Sequence, residues 1–160
     1  MIPYKTIFAE LEDKKIAYLI AGGFAVNFHN VQRSTVDLDL VLHLTESNII
    51  NFVGIMKGLG FAPRLPVRPE DFADPKIRQS WIKEKNMLVF SFNHKSNPLE
   101  VIDIFVEEPK PFIQLFNNRL EVPFGDITLK VVGKADLIEM KERAGRPKDL
   151  YDILELKKLS

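Results

Sequence analysis

Residues 17–44 read AYLIAGGFAVNFHNVQRSTVDLDLVLHL. The short apolar run AYLIAG ends in two glycines and reads as a buried strand entering a turn. FAVNFHN is expected to be helical, because Gly22 and Gly23 mark the turn and the residues after them carry no further turn signal. VDLDLVLHL, residues 36–44, alternates strictly and is the clearest strand in the chain. Residues two apart on a strand face the same way. Val36, Leu38, Leu40 and Leu42 therefore share one side, and Asp37, Asp39, Val41 and His43 the other. Two carboxylates about 6.6–7 Å apart on one face repel each other unless water or a cation lies between them. Taken alone, the pattern favours the solvated face of an edge strand.

Asp103 shifts that balance. In LEVIDIFVE, residues 99–107, both faces are apolar, with Leu99, Val101 and Phe105 on the aspartate's side and Ile102, Ile104 and Val106 opposite. Such a strand is expected to be central, and a lone carboxylate there is costly unless paired or metal-bound. One reading is a salt bridge to a lysine or arginine of the C-terminal region. The other places this strand beside Asp37 and Asp39, so that three carboxylates converge as hard oxygen ligands suited to Mg²⁺. Gly22-Gly23 at a strand-to-helix turn adds backbone N–H groups that a ligand can approach closely.

Working outward, residues 4–15 are amphipathic and predict a first helix, and Glu46–Leu59 predicts another, capped by Thr45 or Ser47. From Phe61 to Asn86 the periodicity dissolves among prolines. This segment is expected to leave the core, with one short helix around Pro75–Lys83. MLVFSFN and LEVIDIFVE form a hairpin across HKSNP, residues 111–118 a short helix, and RLEVPF and DITLKVV a second hairpin around Gly125-Asp126. Two helices, Lys134–Ala144 and Pro147–Leu159, end the chain, broken at Gly145. The order predicts an α/β (α+β) domain over residues 1–160: a mixed β-sheet flanked by helices, not a doubly wound parallel sheet.

Apolar-G-G, thirteen residues, D-x-D, and a later D between apolar residues (here IAGG, VDLDL and VIDIF) resembles the signature of the polymerase-β-like nucleotidyltransferase superfamily. GGFAVNFHNVQRSTVDLDLVL is similar to the GG…R-x-T-x-D-L-D-L stretch of small bacterial nucleotidyltransferases. DLIEMKERAGRPKDLYDILEL resembles the end of the abortive-infection type IV toxin group. The resemblance implies the nucleotidyltransferase fold and transfer of a nucleoside monophosphate from an NTP, such as ATP, to an acceptor hydroxyl, releasing pyrophosphate. It implies that Gly22 and Gly23 cradle the β- and γ-phosphates, and that Asp37 and Asp39 hold Mg²⁺, in one or two ions. Asp103 would bind the second metal or act as general base. It further implies support from Arg33 and Thr35 and phosphate or acceptor contact from Lys141 and Lys148. Many active members have Ser after the first glycine; this chain has Gly23.

Composition narrows the remaining possibilities. The chain has 160 residues and no cysteine, which excludes thiol nucleophiles, zinc fingers, iron–sulfur clusters and disulfide frameworks. Lys+Arg and Asp+Glu number 22 each, so neither general nucleic-acid binding nor binding to an anionic membrane is expected. The charge-free stretch 16–32 is interrupted by glycine, asparagine, histidine and glutamine and is no membrane span. The N-terminal residues lack signal-peptide order, and a cytoplasmic location is expected. On a continuous helix Lys134, Lys141 and Lys148, spaced seven apart, would share a face, either to meet phosphate or as a solvated surface. Asp149 and Asp152 would orient Lys148 or pair into the core. His43 is a candidate for contact behind a metal, and Trp81 beside Arg78 either stacks on a base or anchors the 61–86 segment. The acceptor is open among a protein, an RNA end and a small molecule. Two competing readings are a catalytically silent nucleotide- or partner-binding module, for example one component of a toxin–antitoxin pair, and a metal-dependent hydrolase.

Overall fold

A computed structural model describes residues 4–159. In chain order the elements are α1 (Tyr4–Asp13), β1 (Tyr18–Ala21), α2 (Gly22–Phe28), β2 (Leu38–Leu42), α3 (Glu46–Gly58) and β3 (Phe61–Pro63). A 3₁₀ turn over Pro69–Ala73 leads into α4 (Pro75–Lys85). β4 (Val89–His94), β5 (Val101–Phe105), α5 (Phe112–Asn117), β6 (Leu120–Phe124), β7 (Ile127–Val131), α6 (Lys134–Ala144) and α7 (Pro147–Lys158) complete the chain. The strands form one mixed sheet in the order β3-β4-β5-β2-β1-β7-β6. β1 pairs antiparallel with β2 and parallel with β7, and β2 pairs parallel with β5. No helix among the described residues is long and apolar enough to cross a membrane.

The central strands are where alternation and apolar runs placed them. β2 lies between β1 and β5, not at an edge, and Leu38, Leu40 and Leu42 are fully buried. β1 is buried at all four residues, as its unbroken apolar run requires when both faces are covered. Thr45 caps α3 by accepting from the Asn48 N–H, and Gly145, at φ 63°, ends α6.

The segment 61–86 departs from expectation, because it belongs to the core. Phe61 opens β3, which pairs antiparallel with β4. The Phe90 ring of β4 stacks on Trp81 of α4, with centroids 4.9 Å apart, and on Phe72 of the 3₁₀ turn, 5.1 Å apart. Trp81 is therefore a core anchor, and Arg78 beside it is buried, donating to the Phe72 carbonyl. Three aromatic rings supply the burial that periodicity did not reveal, since prolines had broken the segment into pieces too short to show a period.

Candidate functional site

β5 runs parallel to β2 with Asp39 directly opposite Asp103, and on the other side of β5 Ser91 of β4 is opposite the same Asp103. Neighbouring strands lie about 4.8 Å apart, so register alone puts the Asp39 and Asp103 side chains next to each other on one sheet face. Asp37 stands two residues earlier, just before β2 begins, and the Asp103 charge raises its pKa, second to burial.

Gly22 closes the site from the β1 side. It follows Ala21, which pairs with Asp39, and its φ of +61° is the left-handed conformation that favours glycine. A Cβ at Gly22 would stand 1.9 Å from Asp39 Oδ2. The turn therefore lies directly against the carboxylate, and α2 begins at Gly22 itself rather than after the glycines. A Cβ at Gly23 would meet Thr35 Oγ1 at 2.5 Å. The Thr35 hydroxyl fills the space a serine side chain would need, which accounts for the second glycine of this turn.

Electrostatics mark Asp39 as the strained group. Burial, then the charges of Asp103 and Asp37, push its carboxyl up to about 7, against the pull of Lys141 and Lys148. It accepts no hydrogen bond from a described residue. Asp37 is raised by burial and by Asp103, while Arg64 and Lys148 oppose the shift. Arg64 follows β3, its N–H bonds the Ser91 carbonyl at 2.9 Å, and its Nε donates to Asn93 at 3.1 Å. Ser91 donates its hydroxyl to Asp103 Oδ1 at 2.5 Å. Neither Ser91 nor Arg64 was singled out from sequence. The signal for Ser91 was available, since pairing MLVFSFN against LEVIDIFVE across the HKSNP turn puts it opposite Asp103.

The basic C-terminal residues separate. Gly145 breaks the helix, so Lys134, Lys141 and Lys148 do not share a face, and Lys134 turns to the Leu159 carbonyl. Lys141 is 5% exposed, with its ammonium 2.9 Å from Asp152 Oδ2 and 3.4 Å from Asp149 Oδ1. Arg33 joins the same cluster at 2.7 Å from Asp152, and Arg146 pairs with Asp149 at 2.7 Å. The fully buried Asp149 and Asp152 thus tie α6 and α7 to the loop before β2, and it is to them, not to Asp103, that Arg33, Lys141 and Arg146 pair. Lys148 stays exposed at the start of α7, close enough for its charge to act on Asp37 and Asp39.

His43 does not attend the carboxylates. It lies past the far end of β2, stacked on Phe112 and 3.2 Å from Glu108. His29 and His94 bond the carbonyls of Val132 and Leu59.

The donor set fits a hard cation. Asp37 and Asp39 would supply carboxylate oxygens, no described residue donates a hydrogen bond to the Asp39 side chain, and the missing Cβ of Gly22 gives that carboxylate its room against the turn. Among the described residues no three histidine, aspartate or glutamate side chains are already arranged to hold a metal ion. Phosphate oxygens would be needed to complete a coordination shell, the usual arrangement for Mg²⁺.

A scan of protein-family models finds no match, and no curated protein matches the sequence. Solved structures do match in shape. The lincosamide antibiotic adenylyltransferase LnuA, solved with lincomycin bound, superposes with a TM-score of 0.66 at 15% identity, covering 98% of this chain and 96% of that one. ANT(2'')-Ia in complex with adenylyl-2''-tobramycin gives 0.61 at 13% identity, over 96% and 84%. An antigenic nucleotidyltransferase-like protein from Paracoccidioides brasiliensis gives 0.58 at 17% identity, over 97% and 73%. The chain shares the fold of these nucleotidyltransferases, a mixed sheet flanked by helices as the order of its elements predicted.

Proposed function

We propose that this protein is a nucleotidyltransferase that moves a nucleoside monophosphate from an NTP to an acceptor hydroxyl and releases pyrophosphate. The observation that carries the proposal is the register of Asp39 with Asp103 directly beside the left-handed Gly22 turn. Backbone N–H groups of Gly22 and Gly23 would bind the terminal phosphates, and exposed Lys148 would contribute charge from α7. Lys141 acts from inside its ion cluster through its field on Asp39. Arg33 and Thr35 support the turn from beneath, since the Arg33 Cζ and the Thr35 side chain lie against Gly23.

Asp37 and Asp39 would hold Mg²⁺, which when bound supplies Lewis acidity and neutralises charge on the triphosphate. The acceptor would enter over β4, on the Ser91 and Arg64 side. Its oxygen bonds to the α-phosphorus as the bond from that phosphorus to the pyrophosphate oxygen breaks. The electron pair leaves with pyrophosphate, and the acceptor's proton passes to Asp103. ATP is the first donor to try, because one structural neighbour is an adenylyltransferase and another is solved with adenylyl-2''-tobramycin bound. A small-molecule acceptor is the first class to try for the same reason.

Mg²⁺ and an NTP together should raise the melting temperature, and Asp37→Asn or Asp39→Asn should abolish that joint shift. Wild-type protein indifferent to every NTP with Mg²⁺ would refute the reading. Incubation with α-labelled NTPs and a cell lysate then separates transfer, which labels an acceptor, from binding alone. Binding alone would make the chain a nucleotide-binding module of the kind a toxin–antitoxin pair could employ.

A further inference from the structure

We propose that Ser91 is the positioning residue that assigns Asp103 to the acceptor and keeps it off the cation. The inference rests on the nucleotidyl-transfer reading above and concerns the division of labour within that site. Asp103 has two cross-strand neighbours in register: the Ser91 hydroxyl on β4, and the Asp39 carboxylate on β2. One is a hydrogen-bond donor and the other a like charge. The carboxyl resolves this by giving Oδ1 to Ser91 at 2.5 Å, the length of a strong hydroxyl-to-carboxylate bond.

The donor is well placed to hold that geometry. Ser91 lies inside a ladder, paired with Asp103 on one side and accepting from the Arg64 N–H at 2.9 Å on the other. Its side chain has a single χ1 to fix, and interior strands hold functional groups more tightly than loops do. With Oδ1 committed toward β4, Asp103 is kept from closing with Asp37 and Asp39, in keeping with the absence of a ready three-residue metal site among the described residues. Asp103 Oδ2, which Ser91 does not engage, is left to take the acceptor's proton. Asp37 and Asp39 are left for the cation.

The test reads metal affinity rather than turnover. Mn²⁺ binding to the full chain is measured by electron paramagnetic resonance in the presence of α,β-methylene-ATP, for wild type, S91A, S91T, D103N, the double variant S91A/D103N, and D39N. Asp103→Asn should leave Mn²⁺ affinity within twofold of wild type, whereas D39N should lower it at least tenfold. Ser91→Ala should tighten Mn²⁺ binding at least threefold as Asp103 is released, the double variant should lose that gain, and Ser91→Thr should behave as wild type. If D103N weakens Mn²⁺ as D39N does, or S91A leaves affinity unchanged, the assignment of Ser91 is overturned while the nucleotidyl-transfer reading stands. Wild type that takes up no Mn²⁺ with the analogue overturns both.

Discussion

Replacing Asp39 by Asn should stabilise the protein when no metal or nucleotide is present, and the gain should grow with pH. Burial, Asp103 and Asp37 push the Asp39 carboxyl up from 3.8 to about 7. A carboxyl whose folded pKa is raised favours folding below its unfolded value, and that advantage is lost as pH rises through the folded one. The window is therefore about pH 4 to 7, with the full penalty present above it. At about 1.4 kcal/mol per tenfold change the shift corresponds to at most ~4 kcal/mol. Water reaching the partly exposed side chain, and relaxation around it, reduce the expected figure to about 2 kcal/mol. For a chain of this size that is about 4–8 °C in melting temperature at pH 8, against a small fraction of it at pH 4. The assay is thermal and urea unfolding of wild type and D39N in EDTA at pH 4, 6 and 8, followed by Trp81 fluorescence. A variant that is destabilised at pH 8, or whose difference from wild type does not grow between pH 4 and 8, refutes the claim that this carboxylate is held under strain. The same substitution removes the response to Mg²⁺ and ATP, so stability and function should move in opposite directions.

Two further substitutions probe the parts around that carboxylate. Gly22→Ala should cost about 1–2 kcal/mol for the left-handed backbone alone and displace Asp39 from its 1.9 Å overlap with the new Cβ; unfolding in urea and loss of the joint melting shift report the two effects. Lys141→Met should destabilise by about 3–5 kcal/mol, because two buried aspartates lose a cation. Urea titration measures that cost, and a change within 1 kcal/mol would show that Arg33 and Arg146 suffice to hold Asp149 and Asp152.

Strand positions were legible where the chain carries its own period. The D-x-D alternation showed which side chains share a face, and the apolar runs of β1 and β5 read as interior strands, β1 buried at every residue and β5 fully so on the face opposite Asp103. Both hairpins followed from their turn residues. The glycine pair and the acidic positions marked the candidate site, since a left-handed turn and a carboxylate on an interior strand each require unusual residues. Segment 61–86 was illegible for the opposite reason. Its burial depends on Phe90, which lies beyond it in sequence and completes the aromatic stack.

The sequence alone thus determined the strand faces, the order of the elements and the residue types available for chemistry, because backbone geometry and local sterics act over a few residues. Partnership was decided only in three dimensions. Lys141, Arg33, Asp149 and Asp152 are charged residues like any on a surface until α6 and α7 bury them together. Ser91 is an ordinary strand serine until β4 sets it against Asp103. Pairing energies of this kind depend on distance and desolvation between segments far apart along the chain, and no local pattern records them.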